Sequence, residues 1–301
     1  MKGRLSKELT LNQLLDLTIC SFKDESQYKK EILKLQKTFI NRKNLRQYVF
    51  TPESVAAYTL FYFPTNIPKL AHMWNQFSLS IQQEILQTNF IDFGCGPGTF
   101  TYSFLKQALP SWNRTVYCVD QSPLMLQQAE RLLKVLYPHI NSFYSQKLDP
   151  SLTKDQTLFL GQCLNEITFE KAWPLIQKCD PLYLWVIEPG TPDAFQEVLK
   201  LRKALLSHSY EVLYPCSNSQ NPCSLEAQPR EWCHQVLYHV HHNSYEQLTQ
   251  SLKMDRKKSS FIGHLYRKKA NKVFEQNHQA TLFRVFAEKK FGLLWEICHH
   301  N

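Results

Sequence analysis

The stretch Asp92-Phe-Gly94-Cys-Gly96-Pro-Gly98-Thr99 holds the densest chemistry in the chain. Three of only 8 glycines among 301 residues fall within it. Glycine lets a backbone turn sharply and lets a ligand approach without a Cβ in the way. A helix starting behind such a loop offers its free amides to the same ligand. Asp92 puts a carboxylate two positions ahead of the first glycine, which suits a ligand with a cationic group. Asp120 follows 22 residues after Gly98. There a carboxylate can accept both hydroxyls of a ribose. Ser122 and Met125 come next, where an adenine would rest. Asn165 and Glu166 follow a later strand, toward the ligand's other end. The plain alternatives are a glycine turn with no ligand, or a degenerate site.

Dinucleotide folds space their glycines G-x-G-x-x-G and seat a pyrophosphate on the helix. Here the spacing is G-x-G-x-G with an acid in front. That pattern resembles S-adenosylmethionine-dependent methyltransferases, whose ligand carries an ammonium and a sulfonium instead of phosphates. No acceptor motif is evident, so no catalytic residue is assigned. Enzymes methylating adenine N6 or cytosine N4 show Asn/Asp-Pro-Pro-Tyr/Phe, whereas this chain has Gln162-Cys-Leu-Asn165-Glu166. DNA is not an expected partner. Cys163 reads as a small buried hydrophobe rather than a nucleophile.

A second cluster is thiol chemistry. Cys216, Cys223 and Cys233 lie within 18 residues, spaced C-x6-C-x9-C. Zinc sites favour C-x2-C pairs, and thiolate-rich sites also hold iron–sulfur clusters. Cys298 is the best fourth ligand by residue type, with His234, His299 and His300 as alternatives. The spacing alone leaves metal and free thiols both open.

These groups need elements to position them. Residues 5–48 place apolar side chains at three- and four-residue intervals and predict helix. ESVAAYTLFYF predicts another helix ending near Pro64, with a break at Asn66-Ile67-Pro68 before helix resumes to about residue 87. From residue 88, strands NFIDFG, TVYCVD, QTLFLGQ and LYLWVIE alternate with helices. Ser122 has the character of an N-cap with Pro123 in the first helical position. The alternation predicts an α/β, doubly wound, Rossmann-like core. The expected division is a helical region at 1–87, the core at 88–210 and a Cys-rich module at 211–301. The last segment, TLFRVFAEKKFGLLWEIC, predicts two strands around Glu-Lys-Lys.

Composition sets the limits. With 43% hydrophobic and 13% aromatic residues, the chain has material for a packed core and is not a disordered or collagen-like class. No apolar run is long enough for a transmembrane helix. The first twenty residues lack the apolar run of a secretory signal, and Glu8 and Asp16 argue against a mitochondrial presequence. A reducing, cytoplasmic compartment of bacterial type is expected, with the mitochondrial matrix as alternative. Net charge is +9. The first 80 residues hold 12 basic and 6 acidic side chains, residues 81–210 hold 11 and 12, and the remainder 12 and 8. Basic flanks around a neutral core suit a polyanionic partner, with ordinary solvated charge as the alternative. Lys253, Arg256, Lys257, Lys258, Arg267, Lys268 and Lys269 are the expected phosphate contacts, and a monomer is expected.

Several segments together resemble one family, the methyltransferase-like assembly factors of the small ribosomal subunit, with mitochondrial and bacterial members. They are IDFGCGPGTF (91–100), VDQSPLM (119–125), VIEPGTPDAF (186–195), YPCSNSQNPCS (214–224), EWCH (231–234), KKSSF (257–261) and RVFAEKKFGLLWEIC (284–298). The resemblance implies a class I methyltransferase core that binds S-adenosylmethionine through Asp92, Gly94, Gly96, Gly98, Asp120, Ser122 and Asn165. It implies a [4Fe–4S] cluster on Cys216, Cys223, Cys233 and Cys298, with zinc as the alternative, and small-subunit rRNA as partner. Ser follows Cys216 and Cys223 where the family has proline-rich cysteine motifs, and Gln235 stands where an aromatic is usual. The implied role is methylation of rRNA or assembly of the subunit. The rivals are a non-catalytic assembly factor and a small-molecule methyltransferase with a structural zinc.

Overall fold

The structure, a computed structural model, describes residues 8–41, 51–108, 112–152, 154–216, 222–228, 230–269, 281–289 and 292–298. The chain forms two compact units, one from 1–148 with 237–259, the other from 149–236 with 260–301.

The first unit opens with α1 (Leu11–Leu17), α2 (Glu25–Asn41), α3 (Pro52–Trp74) and α4 (Leu79–Ile85). Then β1 (Phe90–Phe93), α5 (Thr99–Ala108), β2 (Val116–Val119), α6 (Pro123–Leu136) and β3 (Ser142–Ser145) follow. β1 and β2 run parallel, with Asp92 opposite Cys118, and β2 and β3 run parallel, with Val116 opposite Ser142.

In the second unit come β4 (Thr157–Gly161), α7 (Leu164–Ile167), α8 (Phe169–Cys179), β5 (Tyr183–Pro189), α9 (Pro192–Ser207) and β6 (Tyr210–Tyr214). Next are β7 (Gln235–Tyr238), α10 (Asn243–Ser251, in the first unit) and β8 (Lys258–Lys268), then β9 (Thr281–Lys289) and β10 (Gly292–Cys298). β4 and β5 are parallel, while β8 runs antiparallel to both β5 and β6. Parallel pairing among β1 to β5, with α-helices after β1, β2, β4 and β5, makes this a Rossmann-like α/β fold. β9 and β10 pair antiparallel, as the terminal pattern predicts, with Thr281 opposite Cys298. Among the described residues no helix is long and apolar enough to cross a membrane.

The predicted break at residues 64–68 does not occur. α3 runs through both Pro64 and Pro68 for 23 residues. A proline inside a helix costs ~3 kcal/mol. Fully burying one large apolar side chain returns ~1.5–3 kcal/mol, and α3 buries Val55, Leu60, Phe61, Phe63, Leu70 and Met73. Side chains also satisfy carbonyls around the prolines: Thr65 Oγ1 and the Tyr245 hydroxyl donate to Phe61 O at 2.9 and 2.7 Å, and Ser103 Oγ to Ile67 O at 2.7 Å. Thr51 caps the start, accepting from the Ser54 amide, with Pro52 in the first turn.

β8 is a second difference. Its sequence reads as a basic stretch, but Phe261 to Tyr266 are all buried and the cations lie toward its ends.

Candidate ligand-binding site

The glycine loop is built by β1 and β2 together. Beyond the end of β1, the Gly94 and Cys95 amides both donate to Val119 O, at 2.8 and 3.0 Å. The loop leaves β1 while still pinned to β2. It then turns through positive φ at all three glycines: 75° at Gly94, 54° at Gly96 and 81° at Gly98. Two of these have different reasons to lack a side chain. A Cβ at Gly98 would stand 3.2 Å from the Ala129 Cβ, so Gly98 lets α6 close on the loop. A Cβ at Gly96 would meet nothing within 4 Å. Gly96 therefore borders open space.

Asp120, just past β2, organises the loop. Its Oδ2 accepts from the Gly96 amide at 2.9 Å and its Oδ1 from the Ser122 amide at 2.8 Å. Burial raises its pKa, against the pull of those two amides. Ser122 is the N-cap of α6, its Oγ accepting from the Met125 amide, with Pro123 behind it as predicted.

Asp92 is fully buried. Its Oδ2 accepts from the Thr101 amide at 3.1 Å and the Thr101 hydroxyl at 2.7 Å. Among the described residues its Oδ1 has no hydrogen-bond partner. Burial pushes the Asp92 carboxyl up to about 7, although the Thr101 bonds favour the anion. Asp92, Gly94, Gly96, Gly98, Asp120 and Ser122 are thus gathered in the first unit, as their spacing predicts.

Asn165 belongs to the second unit, in the short α7. The decisive residue there is Glu188, at the end of β5. Its Oε1 accepts from the amides of Cys163 and Leu164 at 3.0 and 2.8 Å, and its Oε2 from the amide of Asn165 at 3.2 Å. Burial lifts the Glu188 carboxyl to about 8 despite these three donors. The chain leaves β4 through Gln162 at φ 60°, and the Gln162 amide donates to Ile187 O at 2.7 Å. Glu188 is thereby the anchor of the turn that carries Asn165. The Pro-Gly-Thr-Pro that follows is equally structural. A Cβ at Gly190 would fall 2.5 Å from the Ser260 Cβ. Thr191 caps α9 and Pro192 occupies its first turn.

Residues 52–298 match the family model described as mitochondrial small ribosomal subunit Rsm22. The chain belongs to this family. No curated protein sequence matches it. Among solved structures, a candidate RNA methyltransferase from Pyrococcus horikoshii is similar over 81% of this chain and 98% of its own, at 13% identity and a TM-score of 0.41. The magnesium protoporphyrin IX methyltransferase of Synechocystis, with bound S-adenosylhomocysteine, is similar over 80% of this chain and 100% of its own, at 11% identity and TM-score 0.42. A candidate methyltransferase from Thermoplasma acidophilum is similar over 62% and 70%, at 14% identity and TM-score 0.41.

The Rsm22 match spans all four cysteines of the expected cluster. Cys216, Cys223 and Cys233 are partly buried. All three act on one group, the buried Tyr266 phenol, whose pKa rises mainly by burial and then by their charges. Cys298 ends β10, and its side chain lies outside the described residues, as do His299 and His300. Among the described residues no group of three or more His, Cys, Asp or Glu side chains is arranged to hold a metal. The thiols have the right chemistry for iron or zinc, but the described ones do not close on an ion. The expected metal module is thus not evident in the described residues.

The basic residues divide. Arg267 is bound to Glu211 through Nε and a terminal nitrogen, at 2.9 and 2.8 Å. Lys268 pairs with Asp180. Arg256 turns inward over the Phe61 ring, 4.9 Å from its centroid. These three cations are engaged within the Rsm22-family fold and are not free phosphate contacts, a correction to the linear reading of the stretch. Lys253, Lys258 and Lys269 are exposed, as is Lys257, whose ammonium pairs with Glu246 at 3.5 Å.

Proposed function

We propose that this protein binds S-adenosylmethionine at the glycine loop and acts on the small ribosomal subunit as an rRNA methyltransferase-like factor. The observation that carries the reading is Asp92. Buried polar atoms are nearly always hydrogen-bonded, and a buried carboxylate oxygen without a partner is costly. Asp92 immediately precedes the glycine loop in sequence, and Gly96 of that loop borders open space. A cationic donor from outside the chain, such as the ligand's ammonium, resolves that cost. Asp120 has lone pairs left after Gly96 and Ser122 to take ribose hydroxyls. Asn165 is proposed as a contact toward the methyl end.

S-adenosylmethionine supplies a methyl group on a positively charged sulfur that leaves as a neutral thioether. The chain's part is to bind and orient, and proximity can supply much of the rate. Family membership supports the small subunit as partner and the mitochondrial matrix, the alternative compartment of the sequence reading, as location.

One observation favours the non-catalytic rival. Glu188 and Cys163, the candidate base and nucleophile beside Asn165, are both buried, which places neither at an accessible acceptor site. Labelled S-adenosylmethionine incubated with purified immature small subunits separates the readings. Label in rRNA supports the enzyme; cofactor and RNA binding without label supports the assembly factor. Tight cofactor binding with no affinity for RNA would leave the small-molecule methyltransferase.

The four cysteines are proposed to hold a [4Fe–4S] cluster, supported by their type and by the shared surroundings of three of them at Tyr266. Iron and zinc analysis of anaerobically purified protein tests this. A brown protein that loses its colour in Cys216→Ser supports the cluster, and stoichiometric zinc without iron overturns it.

A further inference from the structure

Burial alternates along the stretch from Gln235 to Val240. Tyr238 is 71% exposed and Val240 76% exposed. His239 between them turns to Glu8, with Nε2 2.7 Å from Oε1. Two apolar side chains therefore share one solvent face at strand spacing. The neighbouring stretch is held alongside, for the His239 amide donates to Lys257 O at 2.8 Å. It brings the Lys258 ammonium to 5.8 Å from the centre of the Tyr238 ring. Lys253, Lys257 and Lys258 are all exposed here, and the Lys257 ammonium also stands 3.5 Å from Glu246 Oε2. The one acid among residues 253–258, Asp255, accepts from the Lys257 amide at 2.9 Å.

From this juxtaposition we propose that Tyr238 is a stacking platform for an unpaired RNA base, with Lys258 and Lys257 for the flanking phosphates. The proposal deepens the ribosomal reading above and rests on it. An open aromatic ring bordered by lysines is the chemistry that single-stranded RNA uses, since every base has a π-face and every linkage a charge. Duplex RNA keeps its bases stacked inside and offers the ring nothing. The local excess of cations fits a polyanion. An exposed cation–π contact is weaker than base stacking. Lys258 therefore yields the ring face to a base and moves to the adjoining phosphate.

The test is fluorescence anisotropy of the full chain with a labelled, unstructured RNA oligonucleotide and with a duplex of the same length. Tyr238 is largely exposed, so its substitution leaves the fold intact, and circular dichroism checks this. Tyr238→Ala is expected to weaken single-strand binding about tenfold, and Tyr238→Phe to retain it. Lys258→Ala is expected to lower the salt dependence by about one phosphate contact. Duplex binding should be weaker and indifferent to Tyr238→Ala. Wild-type binding of single strands that Tyr238→Ala leaves unchanged overturns the platform alone. A wild-type chain that binds neither RNA overturns the platform and the rRNA reading together.

Discussion

Asp92 and Glu188 are alike by every simple measure. Each ends or nearly ends a central strand, each is fully buried, and burial raises both, to about 7 and about 8. They differ in one respect. Glu188 spends both oxygens on three backbone amides of one turn. Asp92 spends one oxygen on Thr101 and leaves the other without a partner among the described residues. Burial and a perturbed pKa therefore do not separate a binding carboxylate from a structural one. On the proposed reading, the unfilled acceptor does.

The sharpest way to break this comparison is Glu188→Ala. It strands three buried amides, which costs ~3–5 kcal/mol. Thermal unfolding should show a loss of ten degrees or more, or insoluble protein. A melting point within two degrees of wild type would mean that the turn does not depend on Glu188.

Asp92→Asn should do the opposite. The amide oxygen can still accept from Thr101, and no charge remains buried. S-adenosylmethionine affinity, read by calorimetry, should fall by about tenfold or more, since a charge-assisted hydrogen bond is lost. Stability relative to wild type should rise most at pH 8, less at pH 5.5, and be unchanged only below about pH 4, where the wild-type carboxyl is protonated in both the folded and unfolded states. A destabilised variant at pH 8 would assign Asp92 a structural role like that of Glu188.

The glycines extend the same contrast. Gly98→Ala meets both left-handed strain and Ala129, so ~1–3 kcal/mol of stability should go. Gly96→Ala meets strain alone, ~1 kcal/mol, but its methyl enters the open space, so cofactor affinity should drop more than stability. Equal losses of stability would show that the space at Gly96 is not what distinguishes it.

The smallest effect is on the pH profile. Both carboxyls have folded pKa values raised above their unfolded ones. The folded state thus holds protons that the unfolded state has released. Their contribution is present below about pH 4 and is lost as pH rises through about 7 and 8. The ligand-free protein should melt lower at pH 8.5 than at pH 6, and Asp92→Asn should flatten part of that slope.

Asp92, the three glycines, Asp120 and the Ser122 cap were legible in the sequence because they act within a single strand–loop–strand–helix segment. Spacing alone encodes such a unit. The bond from the Gly96 amide to Asp120 is invisible in the sequence, because the spacing that marks Asp120 as a ribose acceptor says nothing of its reach back to the loop. Glu188 was invisible as an anchor because its partners lie 23 to 25 residues earlier and meet it only through the β4–β5 register. Pro64 and Pro68 misled for a related reason. Local propensity marks them as breaks, and only the buried environment of α3 outweighs it. In β8 the cations at its ends masked six buried residues between them.

The first unit is discontinuous: it lacks residues 237–259 until the second unit has largely been made. That returning segment supplies the Tyr245 hydroxyl to Phe61 O and Thr65, and His239 to Glu8. During synthesis, about 110 residues separate the end of the unit's first piece from the end of its second. At ~5–20 residues per second, the wait is ~5–20 s. Through that interval the proline-bearing helix α3 lacks its last buried partners on the nascent chain, so the glycine loop is complete in sequence well before the unit around it can finish folding.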